Sequence, residues 1–180
     1  MHDSCGEEIE MSQAKVLVVY FSRTGTTRLL AQAIAKMLAA DLEEICDFSN
    51  RKGVGGYLRS LADIIMKRPV EIVPAGRDVT AYDLVVIGTP VWAGSVSAPV
   101  RSYLVENRAR LPPVAFFCSF GGRGADKAMR QMRELVGRLA VAECKVTAAA
   151  AHKDANAALA VFAHVLKGHI ARAKTLEWMC

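Results

Sequence analysis

The sequence predicts a doubly wound α/β domain, in which helices cover both faces of one parallel sheet. Apolar runs too short for helices recur along the chain, and the first of them, Val16–Phe21, is rich in β-branched residues. The segment that follows is apolar at positions 30, 33, 34, 37 and 38, which is the spacing of one helix face. Runs that are apolar on both sides are typical of strands buried within a parallel sheet. Repeated alternation of such strands with helices indicates the α/β class.

The remaining elements are predicted from the same two patterns. Further strands are expected at Leu42–Ile45, Leu84–Ile87, Val114–Cys118 and Val146–Ala150. Further helices are expected at Pro99–Val105, Asp126–Leu139 and Asn156–Lys174. In the last helix Leu159, Phe162, Leu166 and Ile170 share one stripe, and such stripes are interpreted as faces that pack on the core.

The chain is interpreted as one domain with a tail and an insertion. Residues 1–14 are polar and acidic and are expected to form a disordered N-terminal tail, and 15–180 form the domain. The insertion spans 50–80, between the second and third strands. It begins with the glycine-rich stretch NRKGVGGY and continues into a short amphipathic helix near Tyr57–Ile65.

Composition and charge exclude several classes of protein. Hydrophobic residues make up 52% of the 180 residues, and no apolar run reaches the roughly 18 residues of a membrane span. The N-terminus lacks the features of a secretory signal, so a soluble cytoplasmic protein is expected. The five cysteines are scattered without a C-x-x-C pair, which argues against a metal site and a disulfide framework.

The net charge of +5 is dispersed along the chain and accompanies no recognition motif, so nucleic-acid binding is not expected. The positive net charge could instead attract anionic small molecules or acidic protein partners.

The turn after the first strand carries an unusual cluster of hydroxyl groups around Gly25. The hydroxyl residues are Ser22, Thr24, Thr26 and Thr27. In an open parallel sheet, ligands bind beyond the carboxyl ends of the strands. A helix that begins near Thr26 presents unpaired N–H groups and the positive end of its dipole, which favour an anion. The turn is therefore interpreted as a phosphate site, although capping of the helix by one hydroxyl is an alternative.

Other nucleotide and catalytic motifs are absent from the sequence. There is neither a G-x-x-x-x-G-K-[ST] stretch nor a G-x-G-x-x-G stretch, which disfavours a nucleoside triphosphatase and a dinucleotide fingerprint. Phe21 and Ser22 stand where a phosphate-accepting receiver domain would need acidic residues. No G-x-S-x-G elbow supports a hydrolase.

Two further loops suit a planar heterocycle. Thr89–Pro99 contains a proline, a tryptophan and a glycine, and Gly121–Met129 begins with a glycine-rich stretch whose backbone could approach a flat ring. One phosphate-binding turn combined with two such loops fits a mononucleotide with a large ring, and FMN matches that description.

Three stretches of the chain resemble the flavodoxin family and its quinone-reductase-like relatives. They are VLVVYFSRTGTTRLLAQAIA, YDLVVIGTPVWAGSVSAPVRSYL and VAFFCSFGGRGADKAM. The resemblance runs from about Lys15 to the end of the chain, and the insertion fits it less well. It implies a flavodoxin-like sheet of five parallel strands in the order 2-1-3-4-5.

The same resemblance implies a set of FMN-binding residues. The phosphate would bind at Ser22, Thr24, Gly25, Thr26 and Thr27. The isoalloxazine ring would be lined by Thr89, Pro90, Val91, Trp92 and Gly94. Its other edge would lie along Ser119, Phe120, Gly121, Gly122 and Gly124.

Several side chains keep a second interpretation. Trp92 could instead fill part of the core. Arg123 could neutralise flavin N1 or be a solvated loop residue. Cys118, within an apolar strand, is interpreted as a buried thiol. The histidines, among them His152, are interpreted as surface or helix-face residues.

Two functions remain open at this stage. The first is an FMN-dependent oxidoreductase that passes electrons from NAD(P)H or a partner reductase to a quinone-like or other small acceptor. The second is a non-enzymatic electron carrier between redox proteins. The basic charge and the insertion favour the enzyme. No residue is assigned as catalytic, since the flavin carries the redox chemistry. The oligomeric state, including a homo-oligomer, stays open.

Overall fold

The structure is a computed structural model that describes residues 14–47, 71–73, 75–153 and 155–177. The tail predicted at 1–14 lies outside the described residues except for Ala14. The amphipathic helix predicted at Tyr57–Ile65 also lies outside them.

A mostly parallel sheet forms the centre of the described part. Its strands are β1 (Val16–Tyr20), β2 (Asp41–Glu44), β3 (Leu84–Trp92), β4 (Ser95–Val96), β5 (Val114–Phe120) and β6 (Glu143–Thr147). The parallel strands follow the order β2-β1-β3-β5-β6, and the short β4 pairs antiparallel with the end of β3. Counted along the chain, the five parallel strands have the predicted order 2-1-3-4-5, which confirms the fold class.

Helices connect the strands. They are α1 (Thr26–Leu38), α2 (Ala98–Asn107), α3 (Ala125–Val136), α4 (Ala148–Lys153) and α5 (Asn156–Glu177), and a 3₁₀ turn spans Val79–Ala81. Among the helices in the described ranges, none combines the length and the apolar character that a bilayer crossing requires.

Alternation along the strands divides the core between the two faces of the sheet. Val18 and Val86 belong to the cluster formed with α1 and α5, whereas Val19 and Ile87 belong to the cluster formed with α2 and α3. All four are completely buried. Because successive side chains of a strand point to opposite faces, strands covered on both faces are apolar at every position. This is the physical basis of the continuous runs in the sequence.

One glycine in the centre of the sheet is required by packing. A Cβ atom built on Gly88 would lie only 2.0 Å from Cζ of Phe117 on the neighbouring strand β5. The Phe117 ring therefore crosses directly over the backbone of Gly88, where any side chain would collide with it.

The last strand and the end of α3 differ from the prediction. The strand predicted at Val146–Ala150 is Glu143–Thr147, and the alanines that follow form α4. Alanine is the strongest helix former, and the Thr147 hydroxyl accepts a hydrogen bond from the Ala150 amide at 3.2 Å, which caps the new helix. Helix α3 ends at Val136, before Gly137 with φ of 75°, so Leu139 is outside the helix and 82% exposed.

Candidate functional site

Three neighbouring strands end at one edge of the sheet. β3 lies between β1 and β5, and all three run in the same direction. Their carboxyl ends therefore bring together the hydroxyl turn at 22–25, the segment after Thr89 and the glycine-rich loop at 121–124. The topology thus assembles the three stretches that the sequence analysis singled out.

The start of α1 has no side-chain cap. Gly25 is the residue before the first helical turn and has a left-handed backbone with φ of 91°, which glycine adopts without strain. Because glycine has no side chain, the residue at the N-cap position accepts no hydrogen bond from the first amides of the helix. A Cβ atom on Gly25 would meet no atom of the described residues within 4 Å, so the space beside it is open. Capping by a hydroxyl at the N-cap position, the alternative considered from the sequence, therefore does not occur here.

The four hydroxyl groups of this turn have different environments. The Ser22 Oγ atom is buried and has no hydrogen-bond partner within the described part of the chain. Thr24 is exposed. The Thr26 Oγ1 atom lies 3.3 Å from Nε2 of His152, and Thr27 Oγ1 lies 2.8 Å from Oγ of Ser119 at the end of β5. The Thr27–Ser119 bond joins the hydroxyl turn to the predicted site segment at the end of β5.

The unpaired Ser22 hydroxyl stands out because buried polar groups are usually satisfied. Leaving one without a partner costs free energy, on the order of 1–3 kcal/mol. An acceptor placed beside the turn would remove that cost.

The predicted loop Thr89–Pro99 is largely a β-hairpin. Trp92 pairs with Ser95, and the two residues between them, Ala93 and Gly94, have positive φ angles of 49° and 70°. Positive φ at both central residues is the geometry of the tight turn that best matches strand twist. Sequence analysis missed the hairpin because the turn is Ala-Gly, whereas Asn-Gly is the usual signal.

Gln131 of α3 secures this hairpin. Its Oε1 atom accepts hydrogen bonds from Oγ of Ser95 and from the amide of Val96, both at 3.0 Å. Gln131 was not predicted as a site residue because it lies in a helix between Met129 and Met132, where the pattern indicates only a core-facing stripe. Only the three-dimensional contact reveals its role.

The predicted ring-lining residues divide into a buried pair and an accessible group. Thr89 is fully buried; its Oγ1 atom lies 3.1 Å from Oγ of Ser97 and accepts a hydrogen bond from the Ser97 amide. Pro90 is buried as well. Both residues belong to the buried base of the hairpin. Val91, Trp92 and Gly94 are partly exposed and face the space beyond the strand ends.

Trp92 packs against an aromatic residue of the hydroxyl turn. Its ring meets that of Phe21 edge to face, with centroids 5.9 Å apart and planes at 86°. Both rings are partly exposed. Trp92 is thus not enclosed in the core, the alternative considered for it, and Phe21 is an additional aromatic residue at this edge of the sheet.

The hairpin and the 121–124 loop touch through their glycines. Gly124 has φ of 88°, and a Cβ atom on it would lie 2.4 Å from Cα of Gly94. A side chain on Gly124 would therefore force the two segments apart. Gly121 and Gly122 are exposed, as is Arg123, whereas Phe120 is partly exposed and Ser119 is buried. The start of α3, like that of α1, has no side-chain cap.

An ion pair fastens the first turn of α1 to β2. The Arg28 guanidinium contacts Glu44 with an Nη2–Oε1 distance of 2.7 Å, and the Tyr20 hydroxyl donates to Glu44 Oε2 at 3.1 Å. The hydrogen bond to Glu44 raises the pKa of Arg28, and burial is the main cause of a raised pKa at Tyr20. The Arg28 charge beside the turn is therefore engaged by a carboxylate.

The two buried thiols in the described part have no features of a nucleophile. Burial raises the pKa of Cys118 to about 12 and that of Cys144 to about 11, so both stay protonated near neutral pH. This agrees with the interpretation of Cys118 as a buried thiol. Within the described ranges, no group of three His, Cys, Asp or Glu side chains is placed to hold a metal ion.

Comparison with solved structures finds the same fold in known flavoproteins. A flavoprotein from Lactobacillus acidophilus NCFM, solved in complex with FMN, superposes with a TM-score of 0.63 at 24% identity, covering 74% of this chain and 92% of that one. A flavodoxin from Streptococcus pneumoniae TIGR4 superposes with a TM-score of 0.59 at 18% identity, covering 87% and 99%.

Part of a known redox enzyme has the same fold. Rubredoxin oxygen:oxidoreductase from Desulfovibrio gigas superposes with a TM-score of 0.52 at 18% identity, covering 87% of this chain and 37% of that one. At these identities the likeness concerns the fold. A search of curated proteins found no match to this chain.

The family assignment follows from the sequence itself. The family model described as flavodoxin matches residues 15–163, which include every strand and the three segments at the edge of the sheet. The chain therefore belongs to the flavodoxin family.

Proposed function

We propose that this chain binds FMN at the carboxyl edge of its sheet and works as an FMN-dependent oxidoreductase. The observation that carries the FMN site is the buried, unpartnered Ser22 hydroxyl beside the uncapped start of α1. It lies where the phosphate of the mononucleotide would bind.

The hydroxyl turn fits a phosphate monoester. The first amides of α1 have no acceptor within the helix, and their dipole favours negative charge. Gly25 leaves open space beside them, and Ser22 offers a hydroxyl without a partner. Each hydroxyl has one proton, so the Thr27–Ser119 pair keeps one proton available after forming its own bond. These donors could hold a dianion without a lysine.

The two remaining segments fit a flat ring. Trp92 and Phe21 supply partly exposed aromatic surface, and the glycines at 121, 122 and 124 leave backbone amides accessible to ring carbonyl and nitrogen atoms. Gln131 would hold the Trp92 hairpin in place, and the contact between Gly94 and Gly124 would fix its distance from the 121–124 loop. Bound FMN would supply the redox chemistry, and these residues would bind it, orient it and exclude water from one side.

An enzyme that accepts small anionic donors is supported by the charge of the chain. The net charge of +5 favours the approach of anionic NADH or NADPH. The exposed Gly121, Gly122 and Arg123 leave one side of the proposed ring site open to a small molecule. The proposed acceptor is a quinone or another small oxidant. NAD(P)H or a partner reductase would be the donor.

The second candidate function is that of an electron carrier between redox proteins. The same open side favours it, because a partly exposed ring could pass electrons directly to a docked protein. In this case the chain would show little activity with small molecules alone.

Turnover by the FMN-loaded protein distinguishes the two functions. NADH or NADPH oxidation is followed at 340 nm with a benzoquinone present, and sustained turnover without a second protein is the result expected for the oxidoreductase. The Thr24→Ala/Thr26→Ala double variant, which should retain less FMN, is the matched control. FMN-loaded protein that is inert toward both nucleotides would support the carrier and contradict an enzyme that takes its electrons directly from NAD(P)H.

A further inference from the structure

A histidine distant in sequence contacts the proposed phosphate turn. His152 lies on α4, directly after β6, and its Nε2 atom is 3.3 Å from Oγ1 of Thr26, the first residue of α1. The histidine is exposed, as expected for a helix-face residue, but Thr26 is only 9% exposed. The separation of 126 positions between the partners explains why sequence analysis did not connect them.

The direction of this hydrogen bond decides what Thr26 can offer. A hydroxyl has a single proton and can also accept. If Nε2 is unprotonated, the Thr26 hydroxyl donates to it and has no proton left for another acceptor. If Nε2 carries a proton, the imidazole donates to Oγ1, and the Thr26 proton is free to bind an anion. An imidazolium, protonated on both nitrogens, can only donate.

We infer that His152 is a positioning residue for the phosphate group, which orients the Thr26 hydroxyl as a donor. This inference rests on the proposed FMN site. Removal of the imidazole should weaken FMN binding, because the Thr26 proton would no longer be directed to the phosphate.

The charged side chains on the elements that contact α4 are engaged in ion pairs or lie in the last turn of α1, away from Thr26. α4 contacts α1, β5 and β6. On α1, Arg28 pairs with Glu44, and Lys36 lies in the last turn. On β6, Lys145 pairs with Asp126 and Glu143 pairs with Arg133.

The remaining charges near the turn are common to wild type and variants. β5 carries no charged residue, and besides Arg28 the basic residues within three positions of Thr26 or His152 are Arg23 and Lys153. The ratio of the variant and wild-type dissociation constants therefore isolates the contribution of His152.

The test compares FMN with riboflavin, which lacks the phosphate. Kd values are measured by flavin fluorescence for wild type, His152→Ala and His152→Gln. For His152→Ala we expect FMN to bind about threefold to tenfold more weakly, because the Thr26 hydroxyl loses the partner that directs its proton to the phosphate. The riboflavin Kd should change less than twofold.

The glutamine variant and a second histidine serve as controls. Glutamine keeps an N–H donor, so His152→Gln should recover part of the FMN affinity. His164→Ala removes an exposed histidine from α5 and should leave both Kd values unchanged.

The outcomes separate this inference from the proposed FMN site. An FMN Kd that is unchanged in His152→Ala, or not recovered at all in His152→Gln, would overturn the role of His152. An equal loss of riboflavin affinity would do the same. Failure of the folded wild-type protein to bind FMN at all would instead contradict the proposed function.

Discussion

Two residues of the turn after β1, Ser22 and Gly25, determine which ligand the turn can bind. The Ser22 hydroxyl is buried without a partner, whereas Gly25 leaves the neighbouring space empty. The unpaired Ser22 hydroxyl lowers the stability of the free protein. Because the space beside Gly25 is empty, the protein does not supply the missing hydrogen-bond partner itself. Such a local deficit is characteristic of a site arranged for a ligand.

Ser22→Ala should weaken FMN binding without destabilising the free protein. Its hydroxyl makes no hydrogen bond in the protein, so its removal should leave the free energy of unfolding equal or higher. The lost bond to a charged phosphate should raise the FMN Kd about tenfold or more. Calorimetry and urea unfolding measure the two quantities. A fall in stability with unchanged Kd would show that the hydroxyl is structural.

Thr24→Ala combined with Thr26→Ala should reduce the flavin that survives desalting. The change removes an exposed hydroxyl and the one that contacts His152. The ratio of absorbance at 450 nm to that at 280 nm reports the FMN content. Thr175→Ala, on the exposed side of α5, is the matched control. Unchanged FMN content in the double variant would contradict the assignment of these threonines.

Gly88→Ala should strongly destabilise the protein. The new methyl group would lie 2.0 Å from the Phe117 ring, which is buried in the sheet and cannot move freely. Overpacking of this kind costs about 1–3 kcal/mol or more of unfolding free energy. Gly168→Ala in α5 meets no atom within 4 Å and should stabilise the helix slightly. Urea unfolding that ranked the two variants equally would disprove the packing argument.

At the scale of elements, the position of the β3–β4 hairpin depends on α3. The side chain of Gln131 accepts two hydrogen bonds from the hairpin, and the Gly94–Gly124 contact fixes its distance from the loop that precedes α3. The hairpin that carries Trp92 is therefore held by contacts distant in sequence.

Gln131→Ala should loosen the hairpin and weaken FMN binding together. It would leave the Ser95 hydroxyl and the Val96 amide without their acceptor, which costs about 1–3 kcal/mol of stability. Gln131→Glu retains an acceptor oxygen and should lose much less. Urea unfolding and FMN titration of both variants test this. Equal behaviour of the alanine and glutamate variants would exclude the hydrogen bonds as the cause.

An element can be predicted from the sequence when the interactions that cause it join residues close together in the chain. Strand β1 and helix α1 were predictable because their apolar periods and the hydroxyl turn lie in adjacent residues. The strand β6 was misplaced because alanines carry no strand or helix period of their own. The roles of Gln131 and His152 were not predictable, since each depends on a contact with a residue at least 35 positions away.

Across the whole molecule, the covered sheet encloses the thiols of Cys118 and Cys144. Each lies on a different face, so the two belong to separate core clusters. Neither can reach solvent while both layers of helices remain in place.

Alkylation of these two thiols should therefore measure unfolding of the protein. Burial raises the pKa of both thiols, to about 12 and about 11, so almost no thiolate exists at pH 8. With iodoacetamide at pH 8, peptide mapping should find Cys46, which is exposed, modified and the two buried cysteines unmodified until urea unfolds the protein. Modification of Cys118 as fast as Cys46 in the native protein would contradict the described core.

The central claim is that the hydroxyl turn binds the phosphate of FMN. Isothermal titration calorimetry of the folded wild-type protein with FMN, and separately with riboflavin, measures it most directly. We expect one FMN per chain, bound at least about tenfold more tightly than riboflavin, because each charge-assisted hydrogen bond to the phosphate contributes about 1.5–3 kcal/mol. Equal affinities for the two flavins, or no heat with FMN, would contradict the claim.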